Sequence, residues 1–96
     1  MALGTDFYPK LVQLATSVGM KPEDLLAVMY SESGMVSHAG NPRGGASGLI
    51  QMMPYILRGV GYAGSAAKFR GLSGEDQLPY IEKYIRNQMQ ANGGKP

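Results

Sequence analysis

The sequence predicts a single, mainly α-helical domain. Apolar residues recur at helical spacing in several parts of the chain, and proline and glycine residues stand where these segments begin and end. A chain of 96 residues has room for one hydrophobic core but not for a second domain. Because it has no cysteine, it contains neither disulfides nor thiolate metal ligands. We therefore treat residues 1–96 as one domain that packing alone must stabilise.

The first two helices have well-marked boundaries. An amphipathic pattern predicts a helix over residues 6–18, followed by Gly19 as its stop. Pro22 suits the first position of a second helix, and two acidic residues after it complement the positive end of the helix dipole. Gly34 favours the end of that helix. The second helix is therefore expected to run from Pro22 to Ser33.

The middle of the chain predicts a long loop. Residues 35–48 are rich in glycine and contain Asn41 and Pro42, so we expect a tightly turned segment with room for a short hairpin. A loop of this length in so small a domain is usually functional. Pro54 predicts the start of a third helix over residues 54–60, and residues 65–70 favour a short fourth turn.

The last helix has two possible starts. Leu78, Ile81, Ile85 and Met89 have helical spacing, and residues 73–76 resemble a capping box with Asp in place of the usual Glu or Gln. Pro79 has no amide hydrogen to donate, which argues against that early start and favours one near Leu78. Residues 91–96 have no apolar periodicity and are expected to form a flexible tail.

Glu32 stands apart from the other acidic residues, which lie at predicted helix starts or beside basic neighbours. It follows Met29, Val28 and Leu25 by three, four and seven residues, so it belongs to the apolar stripe at the end of the second helix. A carboxyl placed there is expected to be partly desolvated, which favours the protonated form that a general acid needs. The simpler interpretation is an edge residue that turns to water.

The residues after Glu32 resemble a known family. Glu32-Ser33-Gly34, then Asn41-Pro42, then the run from Gly45 through Gly48-Leu49-Ile50-Gln51 to Met53-Pro54 is similar to the soluble lytic transglycosylases. That family has the lysozyme fold and carries a catalytic Glu followed by Ser at a helix end, with a Gly-Leu-Met-Gln segment further along. Here Ile50 stands where Met is usual. The segment from Gln77 to Tyr84 is loosely similar to phage-borne members.

The resemblance implies a lysozyme-like helical domain that cleaves peptidoglycan, with Glu32 as the acid/base and residues 44–51 beside the groove. Ser33 would hold the helix end. Asn41 falls where the family often has Ser, so that an amide would replace a hydroxyl. Side-chain amides match the hydroxyl and N-acetyl groups of aminosugars, and methionine offers an adaptable apolar wall. The residues expected to contact the saccharide are Ser33, Asn41, Ser47, Gln51, Met53, Tyr80 and Tyr84. For Gln51 and Met53, backbone pinning and core packing are the alternatives.

One family motif is missing. An Ala-Tyr-Asn segment, whose Tyr hydrogen-bonds near the catalytic Glu in the family, occurs nowhere in the chain. Tyr62, Tyr80 or Tyr84 is a candidate to supply a phenol from another place, although each is equally consistent with an ordinary half-buried aromatic. The motif would otherwise belong to a carboxy-terminal part outside this sequence.

Most other classes of site are disfavoured. One histidine and no cysteine argue against a metal site, and we expect no cofactor. The net charge of +2 and pI near 9.0 are mild, and no helix carries a run of Lys or Arg, so a nucleic-acid partner is not expected. No apolar stretch is long enough to insert into a membrane. The expected partner is the peptidoglycan glycan strand. The protein is expected to act as a monomer or as part of a larger polypeptide.

The resemblance also implies where and how the protein acts. Its place of action would be the bacterial cell wall or periplasm. The amino terminus lacks the basic and apolar regions of an export signal, which favours a virion-associated lysin or an excised domain. A single carboxyl suffices for a transglycosylase, whereas hydrolysis usually needs a second, for which Glu75 and Asp76 are the candidates. A lysozyme-like module that binds the wall without cleaving it is the remaining alternative.

Overall fold

The computed structural model describes residues 3–40 and 43–93. These residues are mainly helical and contain no regular strand, which confirms the predicted class. The helices, in chain order, are α1 (Phe7–Ser17), α2 (Pro22–Ser33), α3 (Pro54–Gly59), α4 (Ala66–Arg70) and α5 (Gly74–Ala91). Helix α1 packs against α5 and α2, and α3 packs against α5.

A single apolar core lies between these helices. Phe7 and Leu11 of α1, Leu25 and Met29 of α2, and Ile81 of α5 are almost completely buried. The turn at residues 48–51, its surroundings and the short helices add further buried side chains to this core: Leu49, Met52, Leu57, Val60 and Phe69. Since large side chains pack here without any disulfide, burial of apolar surface is the main source of stability.

Helix α2 begins and ends where its sequence predicts. Pro22 occupies the first turn, where its missing amide hydrogen costs no hydrogen bond. Gly34 follows in the left-handed conformation at φ 64°, and its amide donates to the carbonyl of Tyr30 at 2.8 Å. This cap, which lies one residue after Ser33, ends α2 at Ser33.

The start of α5 differs from the expected start near Leu78. The helix begins at Gly74, because the Ser73 hydroxyl accepts a hydrogen bond from the Asp76 amide at 3.1 Å and caps the first turn. Pro79 therefore lies inside α5, where it cannot donate to the carbonyl of Glu75. Because Pro79 is exposed, water can serve that carbonyl in place of the missing amide. Of the predicted flexible tail, residues 94–96 lie outside the described residues.

The expected hairpin is reduced to two isolated antiparallel bridges. Ser47 pairs with Gly40 on one side and with Met52 on the other. The second pairing is reciprocal, with amide-to-carbonyl distances of 3.0 and 2.9 Å, and it closes a tight turn over residues 48–51. This turn carries the Leu49 side chain into the core and holds Ile50 at its surface.

Candidate active site

Glu32 lines a groove between α2, α5 and the turn at residues 48–51. The groove has a volume of about 350 Å³. Its walls are mostly apolar, and its lining residues are Met20, Leu25, Val28, Glu32, Ile50, Ile81, Tyr84, Ile85, Gln88 and Asn92. Leu25, Val28 and Glu32 share one face of α2, since they are three and four residues apart. Glu32 is the single carboxylate in this lining.

The expectation that Glu32 is partly desolvated is wrong. The side chain is exposed, and it makes neither a hydrogen bond nor an ion pair with any described residue. The reason lies in how α2 meets the core: Leu25 and Met29 form the buried stripe, while Val28 is 43% exposed. Glu32 is four residues after Val28, so it continues the exposed edge of the stripe and not its buried centre.

Tyr84 and Gln88 form a hydrogen-bonded pair in the same groove. The Gln88 amide nitrogen donates to the Tyr84 hydroxyl oxygen at 2.8 Å. Because the oxygen accepts this bond, the phenolic hydrogen remains for a second partner. A hydroxyl donor and an amide therefore belong to the same mostly apolar groove as Glu32. Of the predicted saccharide contacts that the structure describes, Tyr84 is the one that lines the Glu32 groove.

Gln51 has a structural role in the described chain. It adopts the left-handed conformation at φ 56°, and its amide nitrogen donates to the carbonyls of Gly48 at 2.8 Å and Ala39 at 3.2 Å. These bonds pin the turn at residues 48–51 to the preceding loop. The neighbouring Ile50, and not Gln51, lines the groove with Glu32.

Ser47 is too deeply buried to touch a saccharide. Its exposed fraction is 0%, and its hydroxyl accepts a hydrogen bond from the Arg70 guanidinium at 2.9 Å. Its expected role as a sugar contact is therefore replaced by a structural one, in which it joins the loop to α4. The predicted contact Asn41 lies outside the described residues.

Ser33 is the last residue of α2, and Met53 directly precedes the first residue of α3. The Ser33 hydroxyl donates to the Met29 carbonyl at 3.0 Å, one turn back in α2, so it serves the helix end as expected. Met53 is 41% exposed, so it is not a core residue. It is also not among the residues that line the Glu32 groove.

Tyr80 belongs to an aromatic cluster. Its ring centroid lies 5.2 Å from that of Tyr62 and 6.0 Å from that of Phe69, both in edge-to-face geometry. Such pairs add to the apolar packing of a core. The half-buried Tyr80 is thus held by packing and is not among the residues of the Glu32 groove.

The candidate second carboxylates lie in a different groove. Glu75 and Asp76 line the surface between α1 and α5, together with Lys10. The hydrogen bond from the Lys10 ammonium lowers the pKa of Glu75, a bond from the Asp6 amide lowers it further, and the same ion pair raises the pKa of Lys10. A carboxylate held in an ion pair away from the Glu32 groove is not placed to act with Glu32.

Gln77 is a buried structural residue that the sequence pattern does not mark as important. Its side chain is completely buried. The amide nitrogen donates to the Ser37 carbonyl at 2.7 Å and more weakly to the Phe69 and Leu72 carbonyls at 3.3 Å, and the oxygen accepts from the Leu49 amide at 3.0 Å. Gln77 thus ties both ends of the loop to α5. The one available signal was a polar residue four positions before Ile81 on an apolar stripe.

Comparison with known proteins assigns no relative. The chain matches no family model, and no curated protein or solved structure matches it significantly. Within residues 3–40 and 43–93, no three His, Cys, Asp or Glu side chains are grouped as a metal site would require. None of the helices in that part of the chain has the length and apolar character needed to cross a membrane.

Proposed function

We propose that the protein is a lysozyme-like lytic transglycosylase that cleaves peptidoglycan, with Glu32 as its acid/base. The observation that carries the proposal is the groove itself: its lining contains Glu32 as the single carboxylate, at the end of α2, together with the hydrogen-bonded pair of Tyr84 and Gln88 on α5. Motif resemblance around Glu32 and Gln51 supports the same reaction.

The groups in the groove lining support binding of an N-acetylated sugar. Val28 and Ile50 offer apolar surface to a methyl group or a sugar face. The Tyr84 hydroxyl and the Gln88 amide offer a donor and an acceptor to an acetamido or hydroxyl group. A few polar groups in a mostly apolar pocket are typical of ligand sites, where the polar groups fix the orientation of the bound ligand.

The proposed reaction needs only one carboxyl. Glu32 protonates the glycosidic oxygen, and the substrate's acetamido group stabilises the positive charge that develops on the sugar. The Glu32 carboxylate then removes the proton of the C6 hydroxyl, whose oxygen closes onto the anomeric carbon. The product is a 1,6-anhydromuramyl end. Hydrolysis with a second carboxylate is less well supported, since Glu75 and Asp76 lie outside the groove.

Glu32→Gln tests this proposal. The change keeps the shape of the side chain but removes the proton, so wall-lysing activity should fall by about ten-thousandfold or more. Stability should stay near that of the wild type, because Glu32 is exposed and forms no ion pair with the described residues. Glu23→Gln is the matched control, since Glu23 is an exposed acid in the first turn of the same helix.

The readout is release of muropeptides from purified cell wall, followed by mass spectrometry. An anhydro product is lighter than a hydrolysed one by one water molecule, so the mass identifies the reaction. Anhydro ends that disappear in Glu32→Gln and persist in Glu23→Gln support the proposal. Hydrolysed ends would identify a lysozyme reaction, and undiminished activity in Glu32→Gln would reject Glu32 as the acid/base.

The exposure of Glu32 favours one alternative, a wall-binding module without turnover. A general acid works best where water is excluded, and the Glu32 carboxyl is open to solvent. Such a module would sediment with purified cell wall yet release no muropeptides, and Glu32→Gln would leave its binding unchanged.

A further inference from the structure

A second cleft lies between the loop and the start of α5. It has a volume of about 310 Å³ and is lined by Ser37, His38, Arg70, Gly71, Leu72 and Ser73. None of these residues lines the Glu32 groove, and none is acidic. The cleft therefore has Arg70 and His38 in its lining and no carboxylate.

Arg70 is the unusual residue of this cleft. It is half-buried at the end of α4, where its side chain packs beside Gly40 and one guanidinium nitrogen donates to the buried Ser47 hydroxyl at 2.9 Å. All the acidic side chains of the sequence are among the described residues, and none lies within ion-pair distance of Arg70. A guanidinium has five N–H donors. The bond to Ser47 uses one of them, so most of the Arg70 donors have no partner among the described residues.

The contact with Ser47 also holds the guanidinium in place. A planar fork whose orientation is already set loses little freedom when it binds a planar or tetrahedral oxyanion through two parallel hydrogen bonds. His38 lines the same cleft from the loop side and adds ring N–H donor capacity. The acidic residues Glu75 and Asp76 line the surface between α1 and α5 instead.

We propose that this cleft is an oxyanion-binding site in which Arg70 and His38 bind a carboxylate or phosphate group of a ligand. The site shares no residue with the Glu32 groove and does not rest on the function proposed for that groove. Arg70 supplies the fixed charge and the fork. His38 closes the other side of the bound group.

The test is a titration of the whole chain with acetate and, separately, inorganic phosphate, followed by backbone amide NMR. Chloride keeps the ionic strength constant, because general screening would otherwise shift many amides. We expect saturable shifts confined to residues 37–40 and 70–73. The apparent Kd should be at least about tenfold weaker in Arg70→Gln, which removes the charge-assisted bonds, and about threefold weaker in His38→Gln.

Arg58→Gln is the control, because Arg58 is an exposed arginine of α3 outside the cleft, and it should leave the titration unchanged. Should Arg70→Gln fail to fold, His38→Gln and the charge-retaining Arg70→Lys provide the comparison, since Lys keeps a point charge without the fork. Saturation by acetate alone identifies a carboxylate site, and saturation by phosphate alone identifies a phosphate site. Linear shifts spread over the surface, or equal weakening in Arg58→Gln, would overturn the proposal.

Discussion

Replacing Gln77 by leucine should destabilise the protein more than any surface substitution. Leucine has a similar volume and helix propensity, so the change removes hydrogen bonds without leaving a large cavity. The Leu49 amide loses its partner inside the core, and the Ser37 carbonyl loses the 2.7 Å bond that it accepts. Each unsatisfied buried group costs about 1–3 kcal/mol, which gives an expected loss of about 2–6 kcal/mol.

This loss is large against the total of about 5–15 kcal/mol that holds a typical domain folded. Urea denaturation followed by far-UV circular dichroism measures it directly. Gln90→Leu is the matched control, because Gln90 is an exposed glutamine of the same helix, and it should change stability by less than about 0.5 kcal/mol. If Gln77→Leu is as stable as Gln90→Leu, the idea that Gln77 ties the loop to α5 is wrong.

A glutamate at the same position adds a pH-dependent form of the test. A Gln77→Glu carboxylate still accepts from the Leu49 amide but places negative charge beside the Ser37 carbonyl, so burial and repulsion raise its pKa above the unfolded value. Its protonated form donates as the amide does. The variant should therefore be least stable at neutral pH, regain stability as the pH falls through the raised pKa, and have recovered fully below the unfolded value of about 4.3.

The other expectations concern the loop and the α1–α5 contact. Gly48→Ala should lower stability by about 2–5 kcal/mol in urea denaturation, because Gly48 has φ +87° and an added Cβ would lie 2.6 Å from the Phe69 ring; wild-type stability would refute this. Gln51→Ala should lose about 1–2 kcal/mol by the same assay, since its amide bonds two loop carbonyls, and an unchanged urea midpoint would leave it free to serve a ligand. Glu75→Gln should flatten the acid side of the stability profile: the pKa of Glu75 is lowered by Lys10, so its contribution exists above about pH 4.3 and disappears as the pH falls through the folded value. Equal acid slopes in variant and wild type would contradict that expectation.

Local sequence signals were sufficient for the helices whose ends depend on neighbouring residues. Helix α2 runs over Pro22–Ser33 as predicted, because a proline start and a glycine stop act within one turn. Helices α1, α3 and α4 each lie within a residue of their expected limits. The predicted start of α5 near Leu78 was wrong, because Pro79 argued against an earlier start. The observed start at Gly74 depends on the hydrogen bond from the Asp76 amide to the Ser73 hydroxyl, a geometry that the sequence pattern does not fix.

The candidate site depended on packing to a much greater extent. The sequence established that Glu32 follows Val28 and Leu25 on one face of α2, and that Tyr84 stands on a different helix. Only the arrangement of α2 against α1 and α5 decided that Glu32 remains exposed while Met29 is buried. That arrangement also brought Tyr84 and Gln88 to the groove of Glu32.

The sequence by itself determined a cysteine-free helical domain, the limits of α2 and the identity of Glu32 as the acidic residue on an apolar stripe. The tertiary structure decided which polar residues are structural. Ser47 bonds to Arg70 and Gln77 bonds to Ser37 and Leu49, across separations that no local pattern encodes. Helix caps act through residues within a turn, whereas burial and long-range hydrogen bonds depend on the whole chain having packed.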